Sequence, residues 1–216
     1  MAIWNIKSLR EFVHTNEENE ENEEQSLELI RSIDSSLKIL KYHTSMAVYL
    51  NEKIRPYSET KDMSKVLSQE DKIAIQANIQ AAAHLTRATF DIFAQLINRI
   101  VLSGELTIRE CDFNKVVKKM SASPLKSHLL EVKASEEYLY LNAWVNTVKH
   151  RNLVMPNTQA SYITDDAGVY FNSFEFNEKE YPALWAKELV EKILILRKRV
   201  IQTGKLLNEN VGAKSM

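Results

Sequence analysis

Cysteine is almost missing from this chain: Cys111 is the only one among 216 residues. A disulfide within the chain is therefore excluded, and so is a zinc site built from several cysteines. Glycine and proline are also scarce, with 4 of each. Because these two residues interrupt regular structure, their scarcity favours long helices over many short strands.

Long hydrophobic runs are missing as well. Plain runs such as Ile193 to Leu196 are far shorter than the roughly 18 residues needed to span a bilayer. The first residues, MAIWNIKSLREFV, lack the basic start and unbroken apolar stretch of a secretory signal. We therefore predict a cytoplasmic protein with no membrane partner. The formal net charge of -1 excludes a global basic field, so any anion-binding surface must be local.

An acidic run, Glu17 to Glu24, separates a short N-terminal segment from the rest of the chain. Its composition, EENEENEE, favours a solvated linker or a frayed helix start over a partner-binding tail. The preceding segment has apolar residues at helical spacing, and we expect it to dock on the main body or on a second copy. These residues are Ile3, Trp4, Ile6, Leu9, Phe12 and Val13. We predict three parts of the chain: an N-terminal segment with the acidic linker at 1–24, a helical domain at 25–210 and a flexible tail at 211–216.

Four long amphipathic helices follow from the spacing of the apolar residues. Serine caps predict the starts of two of them: Ser68, three residues before Asp71, and Ser123, directly before Pro124. Gly104 is in the usual position for the end of the second helix. The predicted bounds are about Gln25 to Arg55, where Pro56 stops the pattern, Ser68 to Gly104, Ser123 to the segment Trp144–Pro156, and Glu178 to Asn208.

Shorter elements are predicted between these helices. A short helix is expected near Asp112 to Met120. Further on, β-branched and aromatic residues flank Asp165-Asp166-Ala167-Gly168, which predicts a β-hairpin at about 160–176 with Gly168 in the left-handed conformation. The predicted fold is all-α: an up-down four-helix bundle with one small β-hairpin inserted between the third and fourth long helices.

Most familiar functional motifs are absent from the sequence. It has no phosphate-binding GxxxxGK[ST] or GxGxxG, no HExxH, no ExxH pair of a di-iron bundle and no serine nucleophile elbow. We therefore predict no cofactor and no metal site. Cys111 lies beside Asp112 near a helix start, but no base is placed to activate it. His14, His43, His84 and His128 are scattered and are interpreted as surface or interior residues.

Polar residues form two stripes at helical spacing. On the third long helix, Asn142, Asn146 and His150 are four residues apart and stack along one side. The second long helix carries the other stripe: His84, Arg87, Asp91, Gln95 and Asn98. If the stripes face each other, they form a polar groove suited to a hydrophilic ligand, as in a small-molecule carrier. Alternatively, the stripe on the second helix is simply its solvent-exposed face.

The segment VNTVKHR, at the end of the third long helix and before the hairpin, carries a family resemblance. It resembles the HEPN superfamily of prokaryotic helical proteins, in the subset that ends this helix with Asn-x-x-Lys-His-Arg. Asn146 and His150 match the polar residue and the histidine of the motif. Val145 stands where the family has arginine, and Arg151 is the nearest replacement cation.

The resemblance implies a function. Many HEPN proteins are metal-independent endoribonucleases that work as dimers, with the motifs of both protomers meeting at the interface. Others are inactive or serve as binding partners. By resemblance we therefore expect a homodimer with an RNA or a protein partner, in a defence or toxin–antitoxin setting.

Cleavage of RNA without metal needs a base for the 2′-OH, an acid for the leaving 5′-oxygen and a cation for the phosphorane. Histidine is the side chain best suited to act as base or acid near neutral pH, so His150 can serve in either role. Asn146 can orient the imidazole or donate to a phosphate oxygen, and Arg151 can supply positive charge. A dimer would supply a second histidine. The predicted nucleic-acid contacts are Lys149, Asn142 and Arg87.

A purely structural explanation of the Lys-His-Arg run is also available. Cations in the last turn of a helix interact favourably with the helix dipole, at about 0.3–1 kcal/mol each, without any function. The alternative to an RNA-binding or RNA-cleaving protein is a non-catalytic helical module for protein–protein interaction.

Overall fold

The structure is a computed structural model, and it describes residues 4–17, 19–54, 59, 67–161 and 167–212. The chain is mostly helical, with a small antiparallel sheet near its C-terminus. The helices are α1 (Ile6–Asn16), α2 (Glu20–Glu52), α3 (Gln69–Ile100), α4 (Phe113–Lys119), α5 (Pro124–Ala134), α6 (Glu136–His150) and α7 (Ala186–Asn210). The strands are β1 (Pro156–Ala160), β2 (Ala167–Phe171), β3 (Phe174–Phe176), β4 (Lys179–Tyr181) and β5 (Leu184–Trp185). Among the described residues, no helix is long and apolar enough to cross a membrane.

Several predicted helix ends are found where local signals put them. The amide of Asp71 donates to Ser68 Oγ at 3.0 Å, at the start of α3. Ser123 caps α5 by accepting from the Lys126 amide, with Pro124 in the first turn. Asp112 caps α4 in the same way. Gly104 has a φ of 74° and donates its amide to Asn98 O, which closes the end of α3.

The chain forms two compact units. Unit 1 comprises Met1–Lys38, Thr86–Ser135 and Leu196–Met216, and unit 2 comprises Ile39–Leu85 and Glu136–Ile195.

Unit 1 has a hydrophobic core to which the N-terminal segment contributes. Trp4 packs against Phe93 with ring centroids 5.4 Å apart, and its indole Nε1 donates to Asn208 Oδ1 at 3.1 Å. Asn208 in turn donates to Asn5 O. Gly204 on α7 leaves the space that the indole fills, since a Cβ there would lie 2.3 Å from Trp4 Cδ2. The segment thus docks within its own chain, which is one of the two predicted possibilities.

Part of the acidic run belongs to a helix. Residues from Glu20 onward form the first turns of α2, where negative charge is favourable to the helix dipole. Ser26 Oγ donates to Glu17 Oε1 at 2.8 Å. Only Glu17 to Asn19 separate α1 from α2, and Glu18 lies outside the described residues.

The predicted third long helix is interrupted. Ser135 has an extended backbone with φ of -70° and ψ of 145°, and its hydroxyl donates to Val132 O. A serine that hydrogen-bonds nearby backbone competes with helix continuation, so α5 ends there and α6 starts anew. The interruption changes the helical phase: Leu139, predicted to follow the apolar pattern, is 39% exposed.

The sheet belongs to unit 2. β2 pairs antiparallel with β1 and with β5, and β3 pairs with β4 in a separate two-stranded ladder. The predicted turn residues Asp165 and Asp166 lie outside the described residues. Gly168 was expected in the left-handed conformation, but it lies within β2 opposite Gln159, with a φ of 153°.

The start of the last long helix was predicted too early. Residues 179–181 and 184–185 form strands rather than the beginning of α7, which starts at Ala186. The strands are fixed by aromatic packing on α6, where Tyr140 contacts Phe174 and Tyr181 edge to face. The Tyr140 hydroxyl also donates to Pro182 O at 3.0 Å.

A candidate nucleic-acid interface at the end of α6

The basic residues of the predicted motif lie where α6 stops. The amides of Arg151 and Asn152 both donate to Thr147 O, at 2.9 and 3.2 Å, and end the helix. Lys149, His150 and Arg151 are all exposed, whereas Trp144 and Thr147, earlier in the same helix, are buried. The three residues therefore form an exposed basic segment, residues 149–151, at the C-terminal end of a helix.

Arg151 is held by the strand β3. Its Nη1 donates to Glu175 O at 3.3 Å, and its guanidinium carbon lies 5.7 Å from the centre of the Phe176 ring. A guanidinium has five N–H donors, so donors remain for a phosphate. The side chain thus keeps its charge at a defined place next to His150.

Asn146 uses its amide group within its own helix. Its Nδ2 donates to Asn142 O at 2.7 Å and lies 3.3 Å from Asn142 Oδ1. The donor proposed for His150 or a phosphate is therefore occupied inside α6. Both asparagines are half-buried.

Val145, which stands at the position of the family's arginine, is 6% exposed and belongs to the core. A cation at this position would face apolar neighbours rather than solvent. Lys149 and Arg151, by contrast, are exposed cations in the same motif.

His84 on α3 belongs to unit 2, as does this segment, and its imidazole feels the charge of Lys149. Burial lowers the pKa of His84, and the positive charge of Lys149 lowers it further. The imidazole is therefore neutral at neutral pH and can accept a proton. The sequence pattern places His84 in the polar stripe of the second long helix, and we interpret it from that pattern as a surface or interior residue. Its nearness to Lys149 depends on the packing of two helices, which no local signal reports.

The remaining residues of the α3 stripe lie in unit 1. Arg87 forms an ion pair with Asp91, with Nη1 and Oδ1 2.6 Å apart. Asn98 is buried, and both ends of its amide bind the backbone of Leu106. The stripe is therefore not simply a solvent-exposed face, and Arg87 lies in a different unit from the basic segment.

The other titratable candidates have local partners. His14 Nδ1 lies 2.7 Å from Glu23 Oε1, and this contact raises the pKa of His14. His43 bonds Asn78, and His128 contacts Arg199 O. Burial and two nearby aspartates raise the pKa of the Cys111 thiol, which makes it less nucleophilic. Among the described residues, no three His, Cys, Asp or Glu side chains gather as metal ligands would.

Comparison of the chain with family models, with curated proteins and with solved structures found no match.

Proposed function

We propose that the protein is HEPN-like and binds RNA through the basic segment, residues 149–151. The observation that carries the proposal is the exposure of three consecutive basic side chains at a helix end, with Arg151 fixed by Glu175 O and Phe176. A preorganised guanidinium beside a lysine suits the phosphates of a single strand. The proposal includes an up-down four-helix bundle and a cytoplasmic location, which rest on the sequence pattern, and a homodimer in a defence or toxin–antitoxin setting, which rests on the resemblance.

The proposed chemistry is cleavage of RNA without metal. In this scheme His150 exchanges a proton with the 2′-OH or the 5′-oxygen, and Lys149 and Arg151 stabilise the phosphorane. A second imidazole is needed for the opposite proton transfer. His84 of the same unit, neutral at neutral pH, is one source, and His150 of a second copy is the other. Asn146 then acts by fixing the last turns of α6.

RNA binding tests the proposal directly. The double variant Lys149→Gln/Arg151→Gln should bind a single-stranded RNA at least about tenfold more weakly at about 0.1 M salt, because two phosphate contacts are lost. The slope of log affinity against log salt should become shallower by about 1.4, since each contact contributes about 0.7 on a single strand. Fluorescence anisotropy in EDTA measures both quantities.

A matched control is Lys118→Gln/Lys133→Gln, which removes two exposed lysines from unit 1. This variant should retain the wild-type affinity and slope. An equal loss in both double variants would mean that RNA senses only the overall charge, and the assignment of the basic segment would then be wrong.

A second candidate function, a protein–protein interaction module, is favoured by an exposed stripe on α2. Ile39, Tyr42, Met46 and Tyr49 follow a three-four-three spacing, and Tyr42 and Tyr49 are 60% and 52% exposed. Lys53 Nζ lies 4.2 Å from the Tyr49 ring centre, and Lys41 is exposed nearby in sequence. Apolar residues bordered by lysines suit an acidic amphipathic helix of a protein partner.

Replacing both tyrosines tests this candidate. A synthetic acidic amphipathic helix should bind the wild type saturably, and Tyr42→Ser/Tyr49→Ser should weaken it at least about tenfold, since aromatic anchors dominate such contacts. Leu130→Ser, an exposed leucine of unit 1, is the control and should leave the affinity unchanged. Titration calorimetry gives the affinities. If sedimentation instead detects self-association that the tyrosine variant abolishes, the stripe pairs with a second copy.

A further inference from the structure

Two neighbouring clefts in unit 1 share one arginine, Arg99. The first cleft has a volume of about 430 Å³ and the second about 320 Å³, and Arg99 lines both. Both volumes lie in the range of small-molecule pockets. The clefts belong to α1, α2, α3 and the segment after α3, and they are independent of the basic segment, residues 149–151.

Arg99 has little to bind within the chain. It lies in the last turn of α3 and is half-buried. Its one hydrogen bond to a described residue is long, with Nη1 3.4 Å from Asn22 Oδ1, and it forms no ion pair with a described carboxylate. Arginine is well suited to pair with a carboxylate at a partly desolvated position, and Arg99 has no such pair among the described residues. Its unused donors are therefore available to an anionic group in a cleft.

The second cleft offers further polar groups. Ser32 and Gln95 line it, and neither makes a side-chain hydrogen bond within the described chain. Asn98 is committed to Leu106, and the Cys111 thiol stays protonated because its pKa is raised. Ser32 and Gln95 are thus the neutral groups that can orient a ligand bound to Arg99.

The charges at the clefts select the type of anion. Glu28 lines the second cleft without a cation partner among the described residues, and Glu17 lines the first. The second cleft thus carries one carboxylate, Glu28, and one guanidinium, Arg99, so its lining has no net positive charge to balance a dianion such as a phosphate monoester. A ligand with one carboxylate and one ammonium group satisfies both Arg99 and Glu28.

We propose that the second cleft binds an α-amino acid with an apolar side chain. The carboxylate pairs with Arg99, the ammonium group with Glu28, and Ser32 and Gln95 orient the backbone atoms of the ligand. Leu29 and Ile108, which also line the cleft, supply the apolar contact for the side chain.

The test uses leucine as the probe, with titration calorimetry on the full chain. Leucine should bind saturably, whereas isocaproate, which lacks the amine, and isoamylamine, which lacks the carboxylate, should each bind at least about tenfold more weakly, since each loses one charged pair. Binding of isocaproate as tight as that of leucine would overturn the amino-acid assignment. So would binding of inorganic phosphate in place of leucine, or no binding of leucine.

Variants locate the site. Arg99→Gln and Glu28→Gln should each weaken leucine binding at least about tenfold, because a charge-assisted contact is removed. The matched controls Arg31→Gln and Glu24→Gln, at exposed positions of α2 outside the lining, should not. Ser32→Ala should weaken leucine binding severalfold. Because this change is small, the variant still tests the site if Arg99→Gln does not fold. Equal affinities in lining and control variants would place leucine elsewhere and overturn the proposal.

Discussion

Replacing Gly204 with alanine is expected to lower the free energy of unfolding by about 1–3 kcal/mol, the cost typical of overpacking. The added Cβ would lie 2.3, 2.5 and 2.7 Å from Trp4 Cδ2, Cε2 and Cγ. These atoms belong to a rigid ring that Phe93 and the hydrogen bond to Asn208 hold in place, so the ring cannot simply turn aside. Alanine gains about 1 kcal/mol over glycine in a helix, which offsets part of the cost. Urea unfolding followed by circular dichroism measures the change.

A double-mutant cycle with Trp4→Ala supplies the control. Trp4→Ala alone should cost about 3–5 kcal/mol, the usual range for removing a buried tryptophan. In that background Gly204→Ala should be neutral or stabilising, because the clash is gone and only the helix preference remains. Additive effects of the two changes on the free energy of unfolding would contradict the packing of the Trp4 indole against Gly204.

Replacing His150 with alanine is expected to lower the rate of RNA cleavage by about 100- to 10,000-fold, the range for loss of a general acid or base. His150 is exposed, so the substitution should leave the helical circular dichroism signal unchanged. The measurement is cleavage of a single-stranded RNA in EDTA, at protein concentrations that favour dimers. His14→Ala, which removes another exposed histidine, is the control and should cleave at the wild-type rate.

His84→Ala identifies the second imidazole in this scheme. A loss comparable to that of His150→Ala would assign the opposite proton transfer to His84 of the same unit. A wild-type rate for His84→Ala, together with a rate that depends on dimer concentration, would assign it to a second copy. If the wild type does not cleave RNA at all, the enzymatic part of the proposal is wrong. RNA binding is then tested only by the experiment on residues 149 and 151.

The parts of the fold that sequence predicted depend on short-range chemistry. Ser68, Ser123 and Gly104 act within one turn of a helix, so their roles can be predicted without knowledge of the rest of the chain. The interruption at Ser135 is also local, but serine is common inside helices, and neither glycine nor proline marks the site.

The boundaries of the sheet could not be predicted in the same way. Lys179 and Glu180 are charged and fit the start of a helix, yet the next residue, Tyr181, stacks on Phe174 with centroids 5.2 Å apart. That contact, and the pairing of Phe171 with Leu184, join residues through the packing of the chain rather than through local preference.

In the candidate interface, too, some features can be predicted from the sequence and others cannot. The sequence predicts that Lys149 and His150 lie at a helix end, because helical spacing and the nearby proline determine it. It does not predict the contact of Arg151 with β3, the proximity of His84 to Lys149, or the use of the Asn146 amide inside the helix. Each of these depends on the tertiary structure or on a choice of rotamer.

The contact between Arg151 and β3 links the position of one charge to the local stability of a very small ladder. β3 and β4 share only three residue pairs, so this ladder is among the elements that we expect to open before the long helices do. When it opens, Glu175 O and Phe176 leave the guanidinium, which regains the rotamer entropy of a free arginine. In the proposed RNA-binding scheme, the affinity of residues 149–151 for a phosphate depends on the opening free energy of a neighbouring hairpin, so a change in the hairpin would alter binding without changing the cations.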